Sequence, residues 1–499
     1  MGLSASTKAA KGSVWVYGRT VAVQLLNFAA IVVLARELDV ADFGIVALAS
    51  VAISFISTIA SQGVNQYIIY DSAEGHGERS KAAFWLNLTI SLVALGCGFL
   101  LAPQMGEFFG EPELPLLIMA LLLRLPFDAC THISDAVLHK QLRFRSIAIR
   151  DTILQAAAAL LSIYMATSGY GVWSLIVPSL LMAPLQTLVA YVVSGWRPGW
   201  NPGLQFWPRI WAFSSHVMGS TFTTFLISEG DTIVVGKLIG SAQLGIYNMA
   251  WRTSNLVSRN IVNVANALFL PLLSAASSNR DQLIVILLRI LKLISAITFP
   301  ALIALFVLAD DFINVVYGEK WDEAVLPLRV LILYAIRYSV GSPLGPALKA
   351  LGRPDLIFKL GLATVPVYFI AVWMGSFYGI VGVAVGVTVV RTVVGYVTFK
   401  LVADLLRVSI SQLMLPLRSS LYAALLMGGV LSASGIALDN FMPGYSVEKL
   451  FLMIVIGFIV YMALIRSVFT DIASELSIVS QKILGSRSHI VDRMLNIRH

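Results

Sequence analysis

"LARELDVADFGIVALA", residues 34–49, lines up without a gap on "VGKLIGSAQLGIYNMA", residues 235–250, setting Arg36 against Lys237, Gly44 against Gly245 and Ile45 against Ile246. Two fainter echoes follow. "HKQLRFRS" (139–146) resembles "LKALGRPD" (348–355), and "YGVWSLIV" (170–177) resembles "YGIVGVAV" (378–385). All three share an offset near 200–210 residues, which chance identity does not explain. Six apolar spans separate the copies, so both halves enter a membrane in the same sense. That is a parallel repeat about an axis along the membrane normal. The expected architecture is all-α and polytopic, with two six-helix lobes in pseudo-repeat around a central cationic cavity. The lobes cover 1–195 and 196–410, two further helices cover 411–467, and a polar, basic tail covers 468–499.

The composition supports a membrane protein. The 499 residues are 58% hydrophobic and 12% charged, about half the charged fraction of a soluble domain. Apolar runs of bilayer length recur from residue 14 to residue 467, giving about 14 spans by hydropathy. Short alternating segments of the β-barrel kind are absent. Cys97 and Cys130 lie in apolar runs and lack metal-site spacing, so they read as unpaired thiols. No phosphate loop, paired-histidine metal motif or nucleophile elbow occurs. The expectation is a non-enzyme without a cofactor.

The net charge of +8 suggests nucleic acid until its placement is traced. Lys140, Arg143, Arg145, Arg197, Arg209, Lys349, Arg353, Lys400 and Arg407 fall in one set of connections. Glu107, Glu111, Glu113, Asp310, Asp311, Asp322, Glu323, Asp439 and Glu448 fall in the other. Lys/Arg loops mark the cytoplasmic side, so both termini are expected there, in contact with anionic membrane lipids and not with nucleic acid.

The span at 244–270 is the unusual one. It carries Arg252 and Arg259 with Asn248, Asn255, Asn263 and Asn266, all on one narrow helical face. This stripe runs about 27 Å, the thickness of the hydrocarbon. A charge facing lipid at that depth costs at least ~2.5–3.5 kcal/mol, so the stripe must face protein or water. Intramembrane cations (Arg19, Arg124, Arg252, Arg259, Arg289, Lys292, Arg329, Arg337, Arg391) outnumber the acids Asp128, Asp151, Glu229, Asp231 and Asp404. Arg124 and Asp128 can pair at i, i+4, and Arg19, Arg289 and Lys292 sit near span ends where they can snorkel. The remaining surplus favours a hydrated, positive lumen.

Span 1 places Tyr17, Thr20, Gln24 and Asn27 on one face, with Arg19 about 100° away. Span 7, at 211–238, places His216, Ser220, Thr224 and Asp231 on one face. Two readings of Asp231 stand side by side: a lumen acid that takes a proton or sodium, with His216 as a candidate relay, or a counter-charge for an arginine of the next helix. "GIVGVAVG" (379–386), with Gly382 and Gly386 at GxxxG spacing, reads as close helix packing.

"LARELDVADFGIVALA", "DTIVVGKLIGSAQLGIYNMAWR" and "VVYGEKWDEAVLPLRVL" (315–331) together resemble the Wzx-type flippases. These are the polysaccharide-transporter branch of the multidrug/oligosaccharidyl-lipid/polysaccharide flippase superfamily. The likeness runs over about residues 10–410. It implies a V of two lobes around a cationic cavity. It also implies movement of an undecaprenyl-pyrophosphate-linked oligosaccharide across a bacterial inner membrane by alternating access. A polysaccharide polymerase and a chain-length regulator are the partners it brings. On that reading Arg252, Arg259, Asn248, Asn255, Asn263, Arg19, Gln24 and Asn27 bind pyrophosphate and sugar. Asp231 and His216 are candidates for coupling to H+ or Na+, with membrane potential as the other driving force. The rivals are a lipid II flippase and a multidrug cation antiporter of the same superfamily. The antiporter would need an acidic lumen.

Overall fold

The computed structural model describes residues 2–60, 76–141, 143–276, 279–442 and 444–470. Among these residues there are helices and connections and no strands. The chain divides into two compact units, 1–248 and 249–499.

The N-terminal unit contains α1 (Gly2–Glu37), α2 (Val40–Ala60), α3 (His76–Phe109), α4 (Leu114–Leu122), α5 (Leu125–Lys140), α6 (Phe144–Thr167), α7 (Trp173–Ser194) and α8 (Trp207–Leu238). It ends in the first turns of α9 (Ser241–Ala275). The C-terminal unit holds the rest of α9, then α10 (Arg280–Val307), α11 (Ala309–Val316), α12 (Val325–Gly341), α13 (Leu344–Ala350), α14 (Pro354–Ser376), α15 (Gly379–Leu406), α16 (Ile410–Met414), α17 (Leu417–Asp439) and α18 (Val447–Ser467). Twelve stretches of described residues are long and apolar enough to cross a membrane. The other two expected spans fall on α8 and α9, helices of 32 and 35 residues.

Two apolar runs, each of the length of one span, are broken into two helices. The run at 114–137 is divided into α4 and α5 at Leu123–Arg124, where Pro126 lies in the first turn of α5. Proline has no N–H to continue an upstream helix and clashes with the preceding turn. The run at 323–345 likewise stops at Gly341 and restarts at Leu344, with Pro343 as its N-cap. Both breaks fall within the repeated part of the chain.

Glycines set the tightest helix contacts. A Cβ on Gly375 of α14 would come within 2.4 Å of the Gly382 carbonyl, and one on Gly382 of α15 within 2.2 Å of the Gly375 carbonyl. A Cβ on Gly386 would meet the Ala371 carbonyl at 2.7 Å. The glycine spacing at 382 and 386 therefore serves close packing, as expected. At the first repeat pair the arrangement is reciprocal. A Cβ on Gly44 would lie 1.8 Å from the Ser241 carbonyl oxygen, and one on Gly245 would lie 2.1 Å from that of Val40. The start of α2 and the start of α9 cross backbone to backbone here, because neither glycine holds the other helix away.

Both cysteines are free thiols. Long apolar side chains such as Leu100, Val192 and Ile436 are more than two-thirds exposed, the pattern of a surface meant for lipid rather than water.

Candidate functional site

In the N-terminal unit, α1 packs along α6 and carries the polar residues of span 1 against it. Arg19 donates to Asp151 at 2.6 Å. Two turns further on, Gln155 donates its amide to Asn27 at 2.7 Å. The other oxygen of Asp151 accepts from Arg150 Nε at 2.8 Å. Arg150, whose side chain is only 2% exposed, grips Asp135 of α5 through both terminal nitrogens at 2.6 and 3.2 Å. A ladder Arg19–Asp151–Arg150–Asp135 thus ties α1, α6 and α5. A buried guanidinium is tolerable only with this degree of pairing. Arg124 donates to Asp128 at 3.1 Å, the i, i+4 pair expected from sequence.

Beside the ladder lies a cavity of about 280 Å³, walled by Arg19, Arg124, Asp151, Gln155, Ser179 and Gln186 among others. Of its polar lining only Arg19, Arg124 and Asp151 figured in the sequence reading. Gln155 and the pair Ser179/Gln186 could have been found by period: Gln155 lies one turn after Asp151, and Ser179 and Gln186 are seven residues apart on α7. Gln24 and Asn27 are half-buried on α1, and Asn27 meets the cavity wall through Gln155.

Asp231 is buried at 1% exposure and accepts a hydrogen bond from the Tyr247 hydroxyl at 2.6 Å. Among its partners on α9 is thus a phenol.

The polar stripe of α9 divides at the unit boundary. Asn248, in the N-terminal unit, is half-buried, and its amide nitrogen makes no hydrogen bond among the described residues. In the C-terminal unit Arg252 is exposed, and no carboxylate among the described residues pairs with it. Asn255 is 8% exposed and donates back to the Trp251 carbonyl at 2.9 Å. Its amide oxygen accepts nothing among the described residues. Asn248, Arg252 and Asn255 therefore present polar groups on one face with unused hydrogen-bonding capacity. The side chains of His216, Arg259 and Asn263 lie outside the described residues.

Other arginines of the C-terminal unit are committed to packing. Arg329 pairs with Asp310. Arg391 donates to the Tyr334 hydroxyl at 3.1 Å and toward that of Tyr368 at 3.5 Å. Its guanidinium sits 5.5, 5.1 and 5.3 Å from the ring centres of Trp251, Tyr334 and Tyr368. Trp251 and Tyr334 stack at 5.4 Å, nearly parallel. The group bolts α9, α12, α14 and α15 together. Arg337 lies flat on Gly395, where an added Cβ would come within 1.9 Å of it. Among the described residues no cluster of His, Cys, Asp and Glu could hold a metal ion.

Residues 33–326 match a family described as "Polysaccharide biosynthesis protein". The lipopolysaccharide biosynthesis protein WzxC of Escherichia coli K12 is 26% identical over 451 residues, covering 88% of this chain and 90% of that protein. The succinoglycan biosynthesis transport protein ExoT of Rhizobium meliloti is 25% identical over 67% of each chain. Among solved structures, the lipid II flippase MurJ in an inward closed conformation superposes with a TM-score of 0.75 at 15% identity, over 91% of this chain and 99% of that one. An inward-facing transporter of the multidrug resistance MATE family reaches 0.60 at 17% identity, over 78% and 95%. At these identities the two structures speak for the fold alone.

Proposed function

We propose that this chain, which belongs to the polysaccharide biosynthesis protein family, is a flippase. It carries an undecaprenyl-pyrophosphate-linked oligosaccharide repeat unit from the inner to the outer leaflet of a bacterial inner membrane. The observation that carries the reading is Arg252: a guanidinium exposed on a membrane-length helix, flanked by Asn248 and Asn255, with no described carboxylate to neutralise it. A pyrophosphate is a compact dianion, and guanidinium forks bind its oxygens through charge-assisted, often bidentate contacts. Arg259 lies seven residues on, on the same face. The amides supply donors and acceptors for sugar hydroxyls, and the polyprenyl tail can remain in lipid.

The relatives WzxC, a lipopolysaccharide biosynthesis protein, and ExoT, a succinoglycan biosynthesis transport protein, support a polysaccharide precursor as cargo. The lipid II flippase alternative differs in the sugar carried rather than in the physics. A cation antiporter is disfavoured by an exposed arginine where its lumen would need an acid. The lobes rock to alternate access, with both termini cytoplasmic. Outward passage of the dianion from a negative interior is favoured by ~2.3 kcal/mol per charge per 100 mV, so a coupled ion through Asp231 or His216 is an addition to that force and not a requirement. A polymerase and a chain-length regulator act on the delivered unit.

The test is translocation in liposomes. Purified protein receives the lipid-linked oligosaccharide, and arrival is read by a sugar-modifying reagent confined to the far side. Native protein is expected to transport. The folded double variant Arg252→Gln/Arg259→Gln is expected to lose at least ten-fold in rate. Equal transport by both would return these arginines to packing, and no transport by native protein under any gradient would overturn the flippase reading.

A further inference from the structure

The cavity of the N-terminal unit differs in kind from the α9 stripe. Its guanidiniums already have counter-charges: Arg19 on Asp151 at 2.6 Å, Arg124 on Asp128 at 3.1 Å, and Arg150 behind them on Asp135 and Asp151. Three arginines face three carboxylates. A phosphate entering here would lie against the Asp151 and Asp128 carboxylates that already neutralise these arginines, a costly approach of like charges in a medium of low dielectric.

An uncharged polyol faces no such conflict. Each sugar hydroxyl both donates and accepts, so it can add to an existing Arg–Asp pair without breaking it. Asp151 turns Oδ2 to Arg19 and Oδ1 to Arg150, and an ionised carboxylate has about four acceptor sites. Arg19 has about five N–H donors and commits a terminal nitrogen to Asp151. Gln155 is held in place by Asn27 at 2.7 Å, leaving its other amide edge for a ligand. Gln186 makes no hydrogen bond within the described residues, although it lines the cavity. Leu154 and Met182 line the same space and suit the C–H faces of a pyranose. The volume of about 280 Å³ falls just below the range of drug-sized ligand pockets, about 300–1,000 Å³. It suits one ring rather than a chain of them.

We propose that this cavity is a sugar subsite: Asp151, Gln155 and Gln186, with Arg19 and Arg124, bind an uncharged sugar of the repeat unit, while the pyrophosphate is held elsewhere, by the α9 arginines. The subsite rests on the flippase reading. It departs from the expectation that Arg19 shares the pyrophosphate.

The experiment is equilibrium binding to the full chain in nanodiscs with two probes. One is the lipid-linked oligosaccharide isolated from the cell that encodes the protein. The other is the undecaprenyl pyrophosphate left when its sugars are removed. Native protein is expected to bind the glycan-bearing probe at least ten-fold more tightly than the bare one. Gln186→Leu, which removes an amide bonded to nothing described, is expected to erase most of that preference and leave the bare probe unchanged. Gln155→Leu should do the same, and Arg252→Gln should weaken both probes together. If both Gln variants keep the full preference, or weaken the bare probe equally, the sugar subsite is wrong and the flippase reading stands. If native protein binds neither probe, both fall.

Discussion

Arg150, in the N-terminal unit, donates to two carboxylates, whereas Arg391, in the C-terminal unit, donates to two phenols and lies over three aromatic rings. Both are guanidiniums held between helices. The carboxylates cancel Arg150's charge, so the ladder adds almost nothing to the field beyond its own helices. The rings stabilise Arg391 through their quadrupoles rather than through a formal negative charge of their own. The same residue type is therefore gripped by carboxylates in one unit and by aromatic rings and phenols in the other. Counting arginines against acids along a sequence treats the two as equal, and the structure does not.

The largest expected effect tests the closed pair. Asp135→Asn leaves Arg150 buried with half its counter-charge and should cost ~3–5 kcal/mol of stability, read by thermal unfolding in detergent. The double change Arg150→Met/Asp135→Leu should recover most of that loss. If the single change is neutral, the ladder is not what holds α5 to α6. Next comes the ring-held arginine. Arg391→Leu should cost about 2 kcal/mol and Arg391→Lys about 1 kcal/mol, because lysine keeps the charge over the rings and loses the planar fork. Equal losses for both would mean that charge over the rings contributes little. The smallest effect belongs to Arg252. It is exposed and has no described carboxylate, so Arg252→Gln should change stability by no more than about 0.5 kcal/mol while transport falls. A large loss of stability there would move Arg252 into the packed class with Arg391.

Much of the fold was legible because its signals are local or periodic. Span-length apolar runs, the Arg124–Asp128 pair one helical turn apart, and the glycine spacing at 382 and 386 need no knowledge of distant residues. The repeat also identified Gly44 and Gly245 as equivalent before their contact was known. The ladder was not legible. Asp135 and Arg150 are separated by 15 positions and lie on different helices, and Asn27 and Gln155 by 128. Periodicity tells which face a residue occupies and is silent on which helix covers that face. The helix breaks at Leu123–Arg124 and at Ser342–Pro343 were passed over for another reason. Hydropathy averages across a proline, whereas the backbone hydrogen-bond chain stops at it. For the candidate site, the sequence pointed to α9 and to Arg19, but it read Arg19 as free to snorkel near a span end, because its partner Asp151 is brought to it by the packing of α6 on α1.

The crossing at Gly44 and Gly245 carries a historical consequence. Gly44 receives the backbone of Ser241, and Gly245 receives that of Val40; in the gapless alignment of the repeats, Val40 and Ser241 are themselves equivalent positions. Residue i meets j′ while j meets i′, the signature of an isologous, two-fold contact between identical subunits. A gene for one six-helix subunit, doubled and fused, would carry its homodimer interface forward as an internal seam. On that descent a bulky residue at this position would have been excluded twice over in the ancestor, since one mutation there alters both sides of a symmetric interface. After fusion the two sides could drift separately: Val40 and Ser241 now differ, while both repeats carry glycine at the crossing.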